Sequence, residues 1–170
     1  DASVLSGMQV DGFVHIWFDT LITDSQWDIV IKGKAFIVPT LYVTQKVLEE
    51  WKDKSWIDEW LTIDGVLIET KKAYDNKITI LAGTDAPNNN FNFGTDLYEE
   101  LKLLSKAGIP NIDVLKAATT NVSTCFKLKE FGALEKGKPS SFILINGNPL
   151  NNINDIEKME HIWKLGRKIR

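Results

Sequence analysis

Two side chains in this chain sit where an ion could be held or a proton moved: an imidazole, His15, and a carboxylate, Asp85. His15 interrupts the apolar run at residues 12–18 (GFVHIWF), which otherwise reads as a buried strand. An imidazole in such a place needs partners. Two readings stay open on local sequence: a core histidine held by hydrogen bonds, or a metal ligand or ligand-orienting group near a strand's C-terminal end. Asp85 follows the apolar run at residues 77–82 (KITILA) directly, with Gly83 before it and Pro87 after. In parallel α/β folds, ligands and catalysis collect at that edge. The plain alternative is an aspartate closing the strand in an Asx turn. A carboxylate there can bind a divalent cation or accept a proton.

Other candidates carry less. The second histidine, His161, stands beside Glu160 and near Trp163, and reads as structural or exposed. Residues 132–137 lack the spacing of a phosphate loop, and Ser140 and Ser141 lie in no GxSxG turn. The chain has neither CxxC nor HExxH, which argues against a self-contained structural zinc site. Its single cysteine, Cys125, excludes an intrachain disulfide and fits a reducing compartment such as the cytoplasm. A buried, unreactive thiol is the reading for it. Secretion stays open, because any leader would precede residue 1. The chain does not begin with Met, an expectation that it starts inside something longer.

Bulk properties point to an ordinary globular domain: 170 residues, 44% hydrophobic and 25% charged. A net charge of −3 gives no electrostatic footprint for nucleic acid. The basic residues Lys164, Arg167, Lys168 and Arg170 read as a solvated tail. No apolar run approaches the ~20 residues of a membrane span.

The elements that must position His15 and Asp85 alternate. A strand at residues 12–18 precedes a helix at 23–32, capped by Thr23 or Asp24 and stopped by Gly33. A second apolar run at 35–43 (AFIVPTLYV) breaks at Pro39, and a Trp-rich helical stretch follows at 45–74, with Trp51, Trp56 and Trp60 as packing residues. The third strand, 77–82, leads past Asp85 and the Asn-rich residues 88–92 into a helix at 96–107. A further helix at 112–128 opens on Asn111 as N-cap. Two isolated strands, 141–145 and 161–165, end the chain. Alternating strands and helices with right-handed crossovers imply a parallel sheet, open or closed.

Taken in order, several segments resemble the C-terminal half of imidazolonepropionase-like amidohydrolases, the group that includes metal-dependent prolidases. They are residues 11–19 (DGFVHIWFD), 35–41 (AFIVPTL), 81–87 (LAGTDAP), 97–101 (LYEEL) with Ala107 and Gly108, 115–121 (LKAATTN), 132–138 (GALEKGK), 147–150 (GNPL) and 162–166 (IWKLG). The resemblance implies an α/β fold: the C-terminal part of a (β/α)8 TIM-like barrel, about three βα units, plus strands of a small β-sandwich. Residues 1–131 would be barrel and 132–170 sandwich. It implies that His15 matches the sixth-strand histidine, which binds a second metal in binuclear members and contacts the attacking water or substrate in mononuclear ones. Asp85 would match the eighth-strand aspartate, both a metal ligand and the acceptor of that water's proton. Thr84 and Ala86 would shape the loop. The cofactor implied is a divalent metal, zinc by family habit, one or two ions in the complete protein. The substrate class implied is a small cyclic amide or dipeptide-like molecule.

The sequence departs from the family pattern too. The first-strand His-x-His, the fourth-strand lysine and the fifth-strand histidine have no counterpart here, and catalytic zinc usually takes three protein ligands. Phe93-Gly94 stands where relatives often have His-Gly, and Ser140-Ser141 where they have Ala-Asp. A half barrel also leaves sheet edges and core uncovered, so a missing N-terminal half or a second copy of the chain is the expected partner. The reading is therefore part of a metal-dependent amidohydrolase, inactive as this chain alone. Two alternatives remain: a non-catalytic half-barrel acting by association, and a small α/β ligand-binding module centred near Asp85.

Overall fold

The computed structural model describes residues 10–17, 22–54, 61–88 and 91–170. Phe18 and Asp19 of the first apolar run, Trp56 and Trp60, and Asn89 and Asn90 lie outside the described residues, as do residues 1–9. The elements are β1 (Gly12–Val14), α1 (Asp24–Gly33), β2 (Phe36–Val38), α2 (Leu41–Trp51), α3 (Ile63–Asp75), α4 (Asp96–Lys106), α5 (Asn111–Ala117), α6 (Thr120–Cys125), β3 (Phe142–Ile145), a 3-10 turn at Ile153–Glu157, β4 (Met159–Lys164) and β5 (Arg167–Lys168).

β1 and β2 run parallel, with Phe13 opposite Ile37 and Val14 opposite Val38. The strands are shorter than the apolar runs that announce them. The run at 35–43 splits because Pro39 has no amide to continue the ladder, and Leu41 to Val43 turn into α2 instead. The third run, expected as a strand over 77–82, makes one parallel bridge, Ile80 to Ile37. The Ile37 amide donates to Thr79 O and the Leu81 amide to Ile37 O. On the segment's other edge the Ala82 amide bonds Ala117 O at the end of α5. The Ile80 carbonyl accepts from the Asn121 side chain at 3.1 Å. A helix-borne amide thus occupies an acceptor that another strand would use.

The helices start where side chains can satisfy first-turn amides. Thr23 forms a capping box with Gln26, each side chain bonding the other's backbone amide. The left-handed end of α1 falls on Lys34 rather than on Gly33, one residue later than the glycine suggests. The single helix expected at 112–128 is two, α5 and α6, separated at Ala118 and Thr119, and Pro110 rather than Asn111 is the N-cap. Asn111 is engaged elsewhere: its side chain accepts from Ser105 and donates to Leu150 O.

Apolar faces of these helices close over the strands. Val30, Ile37, Leu41, Ala73, Leu104 and Val114 have no exposed surface, and Trp27 almost none. Glu69 on α3 fixes the tryptophans of this layer, accepting from the indoles of Trp17 and Trp27 on one oxygen. The tail forms a separate antiparallel sheet, β3-β4-β5, in which Phe142 stacks on Trp163. It is tied to α4 by Tyr98 to Met159 Sδ and by the Lys102–Glu157 ion pair. Among the described residues no helix is long and apolar enough to cross a membrane.

Candidate functional site

The C-terminal ends of the three parallel segments converge, and each ends in a polar residue: His15 after β1, Thr40 after β2, Asp85 after the segment through Ile80. The His15 amide still donates to Val38 O at 2.9 Å, so its position follows from the strand register. Gly83 allows the third segment to run close to β2, since a Cβ there would lie 2.7 Å from Val38 Cγ1. All three polar residues adopt the left-handed region, with φ of 68° at His15, 54° at Thr40 and 58° at Asp85. For a β-branched threonine that conformation is a true outlier. Strain gathered on three adjacent strand ends is what functional sites tend to store.

His15 Nε2 lies 4.0 Å from Asp85 Oδ2, and the two side chains are 43% and 34% exposed. On the other ring edge, His15 Nδ1 is 2.6 Å from Thr40 Oγ1. The Thr40 hydroxyl has one proton, and it goes to Pro39 O at 2.7 Å. Thr40 therefore accepts from His15, which must carry its proton on Nδ1. In the neutral ring that leaves a lone pair on Nε2, on the side of Asp85. Asp85 Oδ2 in turn accepts from the Asn88 side chain at 2.9 Å, and the Asn88 amide bonds Asp85 O. The Ala86 amide donates to Thr84 Oγ1 at 3.4 Å.

The sequence model of the amidohydrolase family matches residues 43–168. The chain belongs to the amidohydrolase family. The match contains Asp85 and begins after His15 and Thr40, so those two enter the site on geometry. As an amidohydrolase the chain superposes on a Xaa-Pro dipeptidase crystallised with methionine in its active site, with TM-score 0.80, 22% identity, and coverage of 97% of this chain and 41% of that one. It is also similar to A. niger ochratoxinase (TM-score 0.74, 23% identity, 94% of this chain and 37% of that one) and to molinate hydrolase (0.73, 15%, 99% and 40%). At these identities the likeness is one of fold. The chain spans about two-fifths of the length of each of these proteins. No curated protein matches it by sequence. The family resemblance carried by the sequence motifs is thereby borne out, prolidase-like folds included.

A free imidazole lone pair and a carboxylate are donors of the type that divalent metals such as zinc take. At 4.0 Å apart both can reach one ion at about 2.0–2.2 Å only at a wide angle. Among the described residues no group of three or more His, Cys, Asp or Glu side chains is placed to hold a metal. The pair fits as part of a metal site and needs at least one further ligand.

The remaining sequence candidates lie apart from this pair. His161 is on β4, with Nε2 3.3 Å from Lys168 Nζ and its ring edge-on to Trp163. Cys125 is half-buried at the end of α6, and burial pushes its thiol pKa up, which suits an unreactive role. Sequence reasoning assigned no part to Thr40 or to Glu100. A polar residue directly after a strand-ending proline was the signal for Thr40. For Glu100 it was a carboxylate on the apolar face of α4, flanked by Leu101, Leu103 and Leu104.

Proposed function

We propose that this chain is the sixth- to eighth-strand part of a (β/α)8 barrel in a metal-dependent amidohydrolase, which hydrolyses amide-type C–N bonds in small dipeptide-like or cyclic amide substrates. The observation that carries this reading is the facing of His15 Nε2 and Asp85 Oδ2 across the C-terminal ends of parallel strands. Barrel completion by further strands, from the rest of the natural polypeptide or a second copy, is supported by β1. Among the described residues its only strand partner is β2, and Val14 on it is 61% exposed. The Xaa-Pro dipeptidase likeness supports the dipeptide end of the substrate class.

Zinc or a similar divalent ion, bound by His15, Asp85 and ligands from other strands, would lower the pKa of water toward ~7 and polarise the scissile carbonyl. Asp85 takes the proton of the attacking water and passes it to the leaving amine. Asn88 anchors the Asp85 oxygen that faces His15. The Thr40 hydroxyl holds the His15 Nδ1–H, so that in the neutral ring a bare Nε2 faces the reaction space.

Chelator treatment of the full natural polypeptide is expected to reduce hydrolysis of Xaa-Pro dipeptides and N-acyl amino acids at least ~10²-fold, with recovery on adding zinc. Turnover that persists in the metal-stripped protein would sink the reading.

A further inference from the structure

Glu100 is the one ionisable side chain in the described core with no exposed surface. It lies on α4, yet its carboxyl is directed to the start of a different helix, α2. Oε2 accepts from the Tyr42 amide at 2.8 Å. Oε1 is buried with no hydrogen-bond partner among the described residues. Such a group is costly to bury, so its placement calls for a reason.

The reason lies in what Thr40 cannot do. Thr40 is the N-cap of α2, and a threonine there ordinarily offers its hydroxyl oxygen to the helix's first-turn amides. Here it makes no such bond. Its hydroxyl is committed to Pro39 O and to His15 Nδ1. The Tyr42 amide, which an N-cap hydroxyl could serve, is received by Glu100 from outside the helix. With Glu100 in place the Tyr42 amide is satisfied without the Thr40 hydroxyl, which serves His15.

We propose that Glu100 is a positioning residue for His15, acting through Thr40: it caps α2 in place of the threonine hydroxyl and thereby sets the His15 tautomer. The inference rests on the hydrolase reading only for its purpose, since the hydrogen-bond exchange itself requires no metal and no turnover.

The test uses ring-nitrogen NMR shifts of the full natural polypeptide labelled with 15N-histidine, with the His15 signals assigned by their loss in His15→Gln. In the unmodified protein His15 is expected as the Nδ1–H tautomer by ~10:1 or more, since one ring edge has a dedicated acceptor. Glu100→Met removes the acceptor at similar volume and should bring that ratio nearer ~1:1, with His161 unmoved and the far-UV spectrum unchanged. A folded Glu100→Met protein with an unaltered His15 tautomer overturns the proposal. If that variant does not fold, Glu100→Ala is read the same way, since it removes the acceptor without adding bulk. Failure of both to fold makes the carboxyl a requirement of the core alone and also overturns it. A shifted tautomer in a protein without metal-dependent turnover would support this inference and sink the hydrolase reading.

Discussion

Asp85→Asn in the full natural polypeptide is expected to reduce turnover by at least about 10²–10⁴-fold, the range typical of losing a positioned proton acceptor. The fold should survive. Asparagine has nearly the shape of aspartate and tolerates the left-handed conformation better than most residues, so φ of 58° remains accessible. The neighbouring contacts are also modest: the Asn88 amide bonds the residue's carbonyl, which the substitution leaves alone, and the Asn88 side chain can bond the new Oδ1 in place of Oδ2. What is lost is an anion beside His15 Nε2. Steady-state rates together with the thermal midpoint check this, and wild-type rates at an unchanged midpoint would remove Asp85 from the chemistry. His15→Gln is the companion. It should cost less than Asp85→Asn if His15 orients water, and comparably if it holds a second ion, a distinction that metal content per chain reads directly.

The order of elements and the placement of His15 and Asp85 at strand ends were legible because they depend on local patterns. Apolar runs ended by Pro39 and Gly83 mark where the parallel segments stop, and a polar residue just beyond such a stop is a candidate for the ligand edge. The strand at 77–82 was over-read because its apolar content reports burial, whereas ladder pairing depends on who accepts and donates alongside. Asn121 and Ala117 supply those partners from helices. The 112–128 helix was over-read for a related reason: its helical pattern is continuous, and the break at Ala118–Thr119 accompanies a tertiary bond made by Asn121. Thr40 and Glu100 were missed because their link runs between α2 and α4, and no sequence spacing encodes the competition for one hydroxyl. The three left-handed backbones were equally hidden, since none of His15, Thr40 and Asp85 is a glycine.

Between pH 5 and 8 the protein should lose stability through Glu100, and Glu100→Gln should remove that loss. Burial pushes the Glu100 carboxyl up from an ordinary 4.5 to about 7, with the Tyr42, Leu41 and Thr40 amides pulling the other way. The folded-state value exceeds the unfolded one, so between the two the native protein binds the extra proton, and stability falls as pH rises. The contribution is whole below about 4.5 and is lost as pH climbs through about 7. Its size is about 3 kcal/mol for a shift of this span. The protonated form is compatible with the site, since the proton can sit on Oε1 while Oε2 keeps the Tyr42 amide. The carboxylates of Glu49 and Asp113 are held below their ordinary values by lysine partners and titrate in the opposite sense at lower pH, outside this window. Denaturant unfolding of both proteins at pH 5, 6, 7 and 8 isolates the term as the difference between them. That difference should move in favour of Glu100→Gln by about 3 kcal/mol from the acid end to the alkaline end. Parallel pH profiles would mean that Glu100 titrates alike in the folded and unfolded chains, and that its buried carboxyl is stabilised as an anion by the α2 amides well enough to cancel the cost of burial.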